Sequence, residues 1–290
     1  MPLYEIHHFT GADGVQQRYS VLMDDGQAVK PNALWYIAGL GGSVKGAIPF
    51  LKNLLPTYSP IYGCDLRSFG LNKTEAPLRS TAPILADLNT FYRTILQPVL
   101  QSSGQTLDVC GISLGAAMAL HLMHDESLGL AAQTRALSLL APAFTACSST
   151  FPLTYQIRHG IGRLLKGRRH WLKLPYGIRA LTSNADIYND PQYQSASTDR
   201  LTMDFLLNVK TFTARAQNLM PEIQMPTLVV VPGRDVVCSP EAMRRGFAML
   251  PPSGKHAKLE YPELFHDVTF EKDQPQIAGD WLAWIQTLST

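Results

Sequence analysis

A serine flanked two positions away on each side by glycine, Gly111-Ile112-Ser113-Leu114-Gly115, is the feature of this chain best suited to covalent chemistry. It directly follows the apolar run Leu107-Asp108-Val109-Cys110 and directly precedes Ala116-Ala117-Met118-Ala119-Leu120. That context places the serine at the sharp turn between a buried strand and a helix. Such a turn strains its residue, and flanking glycines let strand and helix approach without Cβ clashes. The helix start then offers free N–H groups and the positive end of its dipole to an anion forming at Ser113. The chemistry favoured is nucleophilic attack on a carbonyl. The competing reading, a glycine-rich helix start with no chemistry, is weakened by the strand before it and the helix after it.

A hydroxyl is almost wholly protonated at neutral pH, so Ser113 needs a base. The chain has eight histidines. His7 and His8 fall in an N-terminal hairpin, His121 and His124 on the helix after Ser113, and His159 and His170 in a segment without strand pattern. His256 opens the last apolar segment, His256–Tyr261. Only His266, in Leu264-Phe265-His266-Asp267, sits in a loop after a final strand, where a parallel sheet delivers residues to its carboxyl edge. The base in turn needs an acid to fix its tautomer and stabilise the imidazolium. Asp235, in Val231-Pro232-Gly233-Arg234-Asp235, follows another apolar run and fits that need. Asp267 is the rival, but it adjoins His266 and folds back poorly onto Nδ1; Asp108 lies inside a strand.

Positioning these residues requires a particular set of elements. Tyr4–Phe9 and Arg18–Met23, separated by Gly11-Ala12-Asp13-Gly14, read as a β-hairpin. Ala33–Ala38, Pro60–Cys64, Leu107–Cys110, Ala136–Leu140 and Thr227–Val231 are short, unbroken apolar runs, as expected of parallel strands buried on both faces. Val44–Leu55, Thr81–Leu100 and Leu114–Met123 have helical spacing between them. This alternation implies a mostly parallel sheet with helices on both faces. From about Ala143 to Leu219 the rhythm breaks, which suggests an inserted, mostly helical cap. The expected organisation is a core of residues 1–142 and 220–290 with a cap over 143–219, consistent with a length of 290 residues.

Composition excludes several classes. The chain is 46% hydrophobic and 17% charged, so it can bury a large core and is not disordered. A net charge of +2 argues against a dedicated nucleic-acid binder. The four cysteines, Cys64, Cys110, Cys147 and Cys238, lack the close spacing of a disulfide framework or zinc site, and are expected as free thiols. No signal peptide or membrane span is visible, so a soluble, cytoplasmic protein is expected. Asn72-Lys73-Thr74 matches a glycosylation sequon and is read as chance. Neither metal nor cofactor is called for.

The order Ser113, Asp235, His266 brings out a resemblance. The sequence resembles the α/β-hydrolase superfamily, and within it the monoacylglycerol lipase and lysophospholipase group of serine hydrolases. Ala38-Gly39-Leu40-Gly41-Gly42, Cys64-Asp65-Leu66-Arg67-Ser68-Phe69-Gly70, the Gly111–Gly115 elbow, Pro232-Gly233-Arg234-Asp235 and Phe265-His266-Asp267 carry it, over the whole length. The resemblance implies an α/β-hydrolase fold and a triad of Ser113, Asp235 and His266. It also implies an oxyanion hole built from the backbone N–H groups of Leu40 and Leu114. The implied reaction is hydrolysis of hydrophobic esters, monoacylglycerol- or lysophospholipid-like or of short acyl chains, through an acyl-enzyme. Gly39, Ile112, Ile161 and Leu164 are expected to contact the substrate. The chain departs from the group with Ala38-Gly39 in place of His-Gly, Ile112 before the serine and Ala116 after Gly115. None of these removes a backbone donor, but side chains around the elbow bear on substrate choice.

Within the expected cap, Ile157, Ile161, Leu164 and Leu165 recur at helical spacing. Arg158, Arg163, Lys166, Arg168, Arg169, Lys173 and Arg179 accompany them with no acidic residue between Arg158 and Arg179. Two readings stand: the apolar face covers the cleft while the charges face water, or the basic helix meets a lipid interface. A thioesterase, acyltransferase or C–C hydrolase on the same triad is the alternative enzyme. A ligand-binding receptor on the same scaffold is the alternative outside catalysis.

Overall fold

The computed structural model describes residues 2–24, 29–74, 77–166, 171–190 and 201–288 of the protein. Arg168, Arg169 and His170 lie outside the described residues, and so do the side chains of Arg163, Leu165 and Lys166. Eight strands form one sheet: β1 Leu3–Thr10, β2 Gln16–Met23, β3 Asn32–Ile37, β4 Tyr58–Cys64, β5 Thr106–Ile112, β6 Thr134–Leu140, β9 Thr227–Pro232 and β10 Ala257–Tyr261. Their spatial order is β1-β2-β4-β3-β5-β6-β9-β10. The opening hairpin and its join to β4 are antiparallel; every later pairing is parallel. This is the α/β-hydrolase architecture.

Alternation along each central strand divides the core in two. Ala33, Trp35 and Ile37 of β3 and Leu107 and Val109 of β5 face one layer; Leu34, Tyr36, Cys110 and Ile112 face the other. Helices α2 Ala82–Phe91 and α4 Leu114–His124 cover the first layer, α1 Val44–Lys52 and α10 Gln274–Thr287 the second. Because both faces are covered, the strands read as unbroken apolar runs.

Thr81–Leu100 is not the single α-helix its spacing suggests. After α2 the chain makes a π-turn over Tyr92–Leu96 before α3 Gln97–Ser103. Pro98 has no N–H to give the carbonyl of Thr94, which breaks the α-helical ladder there. The wider turn lets the consecutive Phe91 and Tyr92 both reach the core, where each is fully buried.

Between β6 and β9 lie α6 Leu153–Lys166, α7 Ala185–Tyr188 and α8 Met203–Asn218, after the short α5 Leu130–Gln133 that precedes β6; α9 Pro240–Ala248 follows β9. The segment also contains a ribbon that its sequence pattern does not show: the two-residue strands β7 Trp171–Leu172 and β8 Leu201–Thr202 pair antiparallel. Two residues are too few to display alternation. Thr202 Oγ1 donates to Leu78 O at 2.8 Å and caps α8 through the N–H of Phe205. Asn208 accepts from Thr81 N–H at 2.7 Å, and His121 on α4 bonds the carbonyl of Phe212 on α8. The face of α6, by contrast, is uncovered. Leu153, Ile157, Ile161 and Leu164 stand 68, 53, 53 and 84% exposed. The expectation that this face covers a cleft is therefore corrected: it faces outward.

Asn72 is buried, and its amide donates to the carbonyls of Arg18 and Asp65, so the sequon asparagine is committed to the fold. Cys64, Cys110 and Cys238 are buried free thiols and Cys147 is half-buried. No helix among the described residues is long and apolar enough to cross a membrane.

Far from Ser113 on β5, the carboxylate of Asp108 is buried and accepts from Tyr58 Oη at 2.7 Å and Arg135 Nε at 2.9 Å. Removing the cation leaves a buried charge uncompensated. Arg135→Ala is expected to lower unfolding free energy by about 3 kcal/mol in urea titrations while the chemistry at Ser113 is unaffected.

Candidate active site

β5 ends at Ile112 and α4 begins at Leu114, leaving Ser113 alone in the turn with φ 54° and ψ −118°. A side-chain-bearing residue occupies positive φ only where its surroundings force it. Ser113 N–H donates to Leu140 O at 2.9 Å, and its own carbonyl accepts from Ala143 N–H at 3.1 Å. The glycines are needed for contact. A Cβ on Gly115 would stand 2.2 Å from Ile37 O, and one on Gly111 would stand 2.4 Å from Gly115 O.

The loops after β9 and β10 bring two more groups to this turn. His266 Nδ1–H donates to Asp235 Oδ2 at 2.6 Å. With that proton facing Asp235, Nε2 is free to accept from Ser113 Oγ at 2.9 Å. Asp235 Oδ1 accepts the N–H groups of Val237 and Cys238, both at 2.8 Å. The imidazole and the acid are each 5% exposed. Burial disfavours the charged imidazolium, but the charge and hydrogen bond of Asp235, aided by Asp267, outweigh it and raise the His266 pKa.

The structure separates the alternatives. Asp267 is half-buried and turned to Thr269, whose N–H and Oγ1–H it accepts at 3.1 and 2.6 Å; desolvation pushes its pKa up. Asp108 is engaged with Arg135. His121 stacks on Phe212, His124 pairs with Glu222, His7 pairs with Glu5, and His256 accepts from Thr227 N–H. His159 lies against Tyr155.

Leu114 N–H is the first donor of α4, and Leu40 N–H lies in the loop after β3. Among the described residues neither has an acceptor within the chain. Gly39 brings that loop onto the nucleophile, since a Cβ there would be 3.1 Å from Ser113 Cβ. Ser43 caps α1 through Gly46 N–H. Asp65, to which the sequence reading gave no role of its own, anchors the loop's far end. Its carboxylate takes Val44 N–H at 2.6 Å and Leu71 N–H at 2.7 Å. Burial pushes its pKa up to about 6 despite those bonds. Its cue in the sequence is Gly70, where a Cβ would collide with that carboxylate.

The residues expected at the substrate divide. Gly39 adjoins Ser113, whereas Ile112 is buried in the core layer beneath the loop and backs the elbow instead. Ile161 and Leu164 are on the exposed face of α6. Among the described residues no group of three His, Cys, Asp or Glu is placed to hold a metal ion.

Residues 34–273 match the family described as serine aminopeptidase, S33. Curated protein sequences give no match. Among solved structures, a soluble variant of monoglyceride lipase from Saccharomyces cerevisiae, in complex with a substrate analog, superposes with a TM-score of 0.79 at 15% identity, covering 100% of this chain and 96% of that one. A monoacylglycerol lipase from Paleococcus ferrophilus gives 0.71 at 15% identity over 99% of both chains. A thermostable carboxyl esterase from Bacillus coagulans, in complex with glycerol, gives 0.71 at 15% identity, again over 99% of both. At such identities the likeness establishes a shared fold.

The raised His266 pKa sets the sign of the pH dependence. The imidazole must be neutral to take a proton from Ser113, so reactivity falls as pH drops through that value. The stability from its charged pairing with Asp235 runs oppositely, present at low pH and lost as pH rises through the same value. The rate of fluorophosphonate labelling at Ser113 should therefore show an acid limb above the ordinary histidine value of about 6.5. In Asp235→Asn the limb should move down and the plateau fall by about 10⁴-fold.

Proposed function

Because this chain belongs to the serine aminopeptidase S33 family of α/β hydrolases, we propose that it is a serine hydrolase that cleaves hydrophobic carboxylic esters through an acyl-enzyme on Ser113. The continuous hydrogen-bonded line from Ser113 Oγ through His266 to Asp235 carries this reading. His266 Nε2 takes the proton as Ser113 Oγ bonds to the carbonyl carbon. The negative charge then forms on the former carbonyl oxygen, where Leu40 and Leu114 N–H supply donors; losing one such donor costs about 2.7–4 kcal/mol. The imidazolium returns its proton to the departing alcohol. Water, deprotonated by the same nitrogen, releases the acid and frees Ser113.

Among the described residues, the two carboxylates in the loops after β9 and β10 favour esters over peptides, because both are already engaged. An exopeptidase needs a free acidic group to receive the substrate's terminal ammonium. Asp235 is taken by His266 and two backbone N–H groups, and Asp267 by Thr269. The acyl groups we infer are those of monoacylglycerol- or lysophospholipid-like esters, or shorter chains. Thioester or C–C bond cleavage would use the same groups, and substrate panels separate them.

Residues 143–219 act in this scheme as a cap that governs access. Its helix α6 presents Leu153, Ile157, Ile161 and Leu164 outward, with the exposed Arg158 beside them and no acidic residue from Arg158 to Arg179. That combination suits an aggregated, anionic lipid phase, from which Ile161 and Leu164 would draw substrate. The unpaired cysteines suit the reducing cytoplasm.

Two outcomes check these statements. Ser113→Ala should abolish fluorophosphonate labelling and p-nitrophenyl ester turnover; an adduct mapped to another residue would overturn the mechanism. Ile161→Ser and Leu164→Ser should reduce turnover of long-chain esters in phosphatidylglycerol-containing vesicles by about tenfold, the equivalent of about 1.5 kcal/mol of lost apolar burial. Turnover of monomeric p-nitrophenyl acetate should be unchanged. Equal losses on both substrates would remove the interfacial role.

A further inference from the structure

We propose that Glu271 is a positioning residue for His266, tying the histidine's loop to the chain at 181–184. This rests on the reading of His266 as the base. The loop between β10 and α10 carries the imidazole, and its backbone has no strand partner of its own. Phe265 N–H, immediately before His266, donates to Glu271 Oε1 at 3.2 Å. Asp267 N–H, immediately after it, donates to Leu181 O at 2.8 Å. The same Glu271 carboxylate takes Ser183 N–H on Oε1 at 3.0 Å and Ser183 Oγ–H on Oε2 at 2.6 Å. Thr182 Oγ1 and Asn184 Nδ2 both donate to Phe270 O, at 3.3 and 3.0 Å.

The two backbone donors flanking the imidazole are thus held by Glu271 and by the segment Glu271 grips. Glu271 is 1% exposed and Thr182 likewise, so water does not compete for these bonds. A carboxylate buried this deeply is costly unless its lone pairs are filled, and here three N–H or O–H groups fill them. Glu271 touches neither Ser113 nor His266 side chains, so its action is through placement. Catalytic geometry tolerates about 0.5 Å of error, and a shift of about 1 Å can cost about 10²-fold. Ser183 belongs to the stretch between β6 and β9, so the clamp also makes the aim of the base depend on that stretch being docked.

The test compares Glu271→Ala, Glu271→Gln and Ser183→Ala with the wild type, with turnover of p-nitrophenyl acetate and octanoate expressed per active site counted by fluorophosphonate. Counting sites removes any fraction that fails to fold. The expected result is a kcat loss of about 30-fold or more in Glu271→Ala, equal for both chain lengths, with KM within about threefold. Ser183→Ala should lose about three- to tenfold. Glu271→Gln should recover most of the rate, since its amide oxygen still accepts from Phe265 and Ser183 N–H. Wild-type kcat per site in both Glu271→Ala and Ser183→Ala, beside an inactive His266→Ala, would overturn the clamp alone. So would a loss confined to octanoate. An active His266→Ala would overturn the base assignment and the clamp with it.

Discussion

The backbone of Ser113 is the constraint on which the rest of the structure depends. A residue with a side chain, held at φ 54° between a buried strand and a helix, stays there only if its neighbours leave it no alternative. Here the restraints are specific. The carbonyl of Leu140 on the adjacent strand takes its N–H, Ala143 donates to its carbonyl, and two glycines permit contacts that a methyl group would forbid. Among the described residues the same turn leaves Leu114 N–H at the start of α4 without an acceptor, beside the Ser113 side chain whose attack would place an oxyanion on a carbonyl oxygen. Strain and unsatisfied polarity therefore coincide at one point, where a reaction can use both.

Around that point the fold concentrates carboxylates in places where burial works against their charge. Asp65, Asp235 and Glu271 are each at most 5% exposed and Asp267 is half-buried, and each is supplied with N–H or O–H donors from loops. Loops have no ladder to fix them, so a buried acceptor that several loop amides share can replace one. Asp65 fixes the end of the loop containing Leu40; Asp235 fixes its own turn through Val237 and Cys238. These are rigid placements in a low-dielectric setting, where small displacements change hydrogen-bond energies appreciably.

The outer face of α6 follows the opposite logic. Four large apolar side chains there stay in water while the adjoining ribbon and α8 are well anchored to Leu78, Thr81 and α4. Scattered exposed leucines need no explanation, but four on one stripe are a contiguous apolar surface. The stretch between β6 and β9 is thus anchored through α8 and leaves the apolar stripe of α6 exposed, the asymmetry on which the proposed interfacial role rests.

Much of this was legible in the sequence because it is encoded locally. Strand burial on both faces shows as unbroken apolar runs, and the elbow shows as glycine spacing that steric contact demands within five residues. Ser113, Asp235 and His266 could be singled out because each follows a strand of a parallel sheet, whose carboxyl ends share one edge. What tertiary structure alone decided depends on how distant segments return to one another. The grip of Glu271 on Ser183 joins residues 88 positions apart, and no periodicity marks a carboxylate that will be buried. The π-turn at Tyr92 arose from Pro98 together with two adjacent aromatics competing for the core. Whether the stripe on α6 turns inward or outward was equally undetermined, because amphipathic spacing fixes that a helix has an apolar face and leaves open what that face meets.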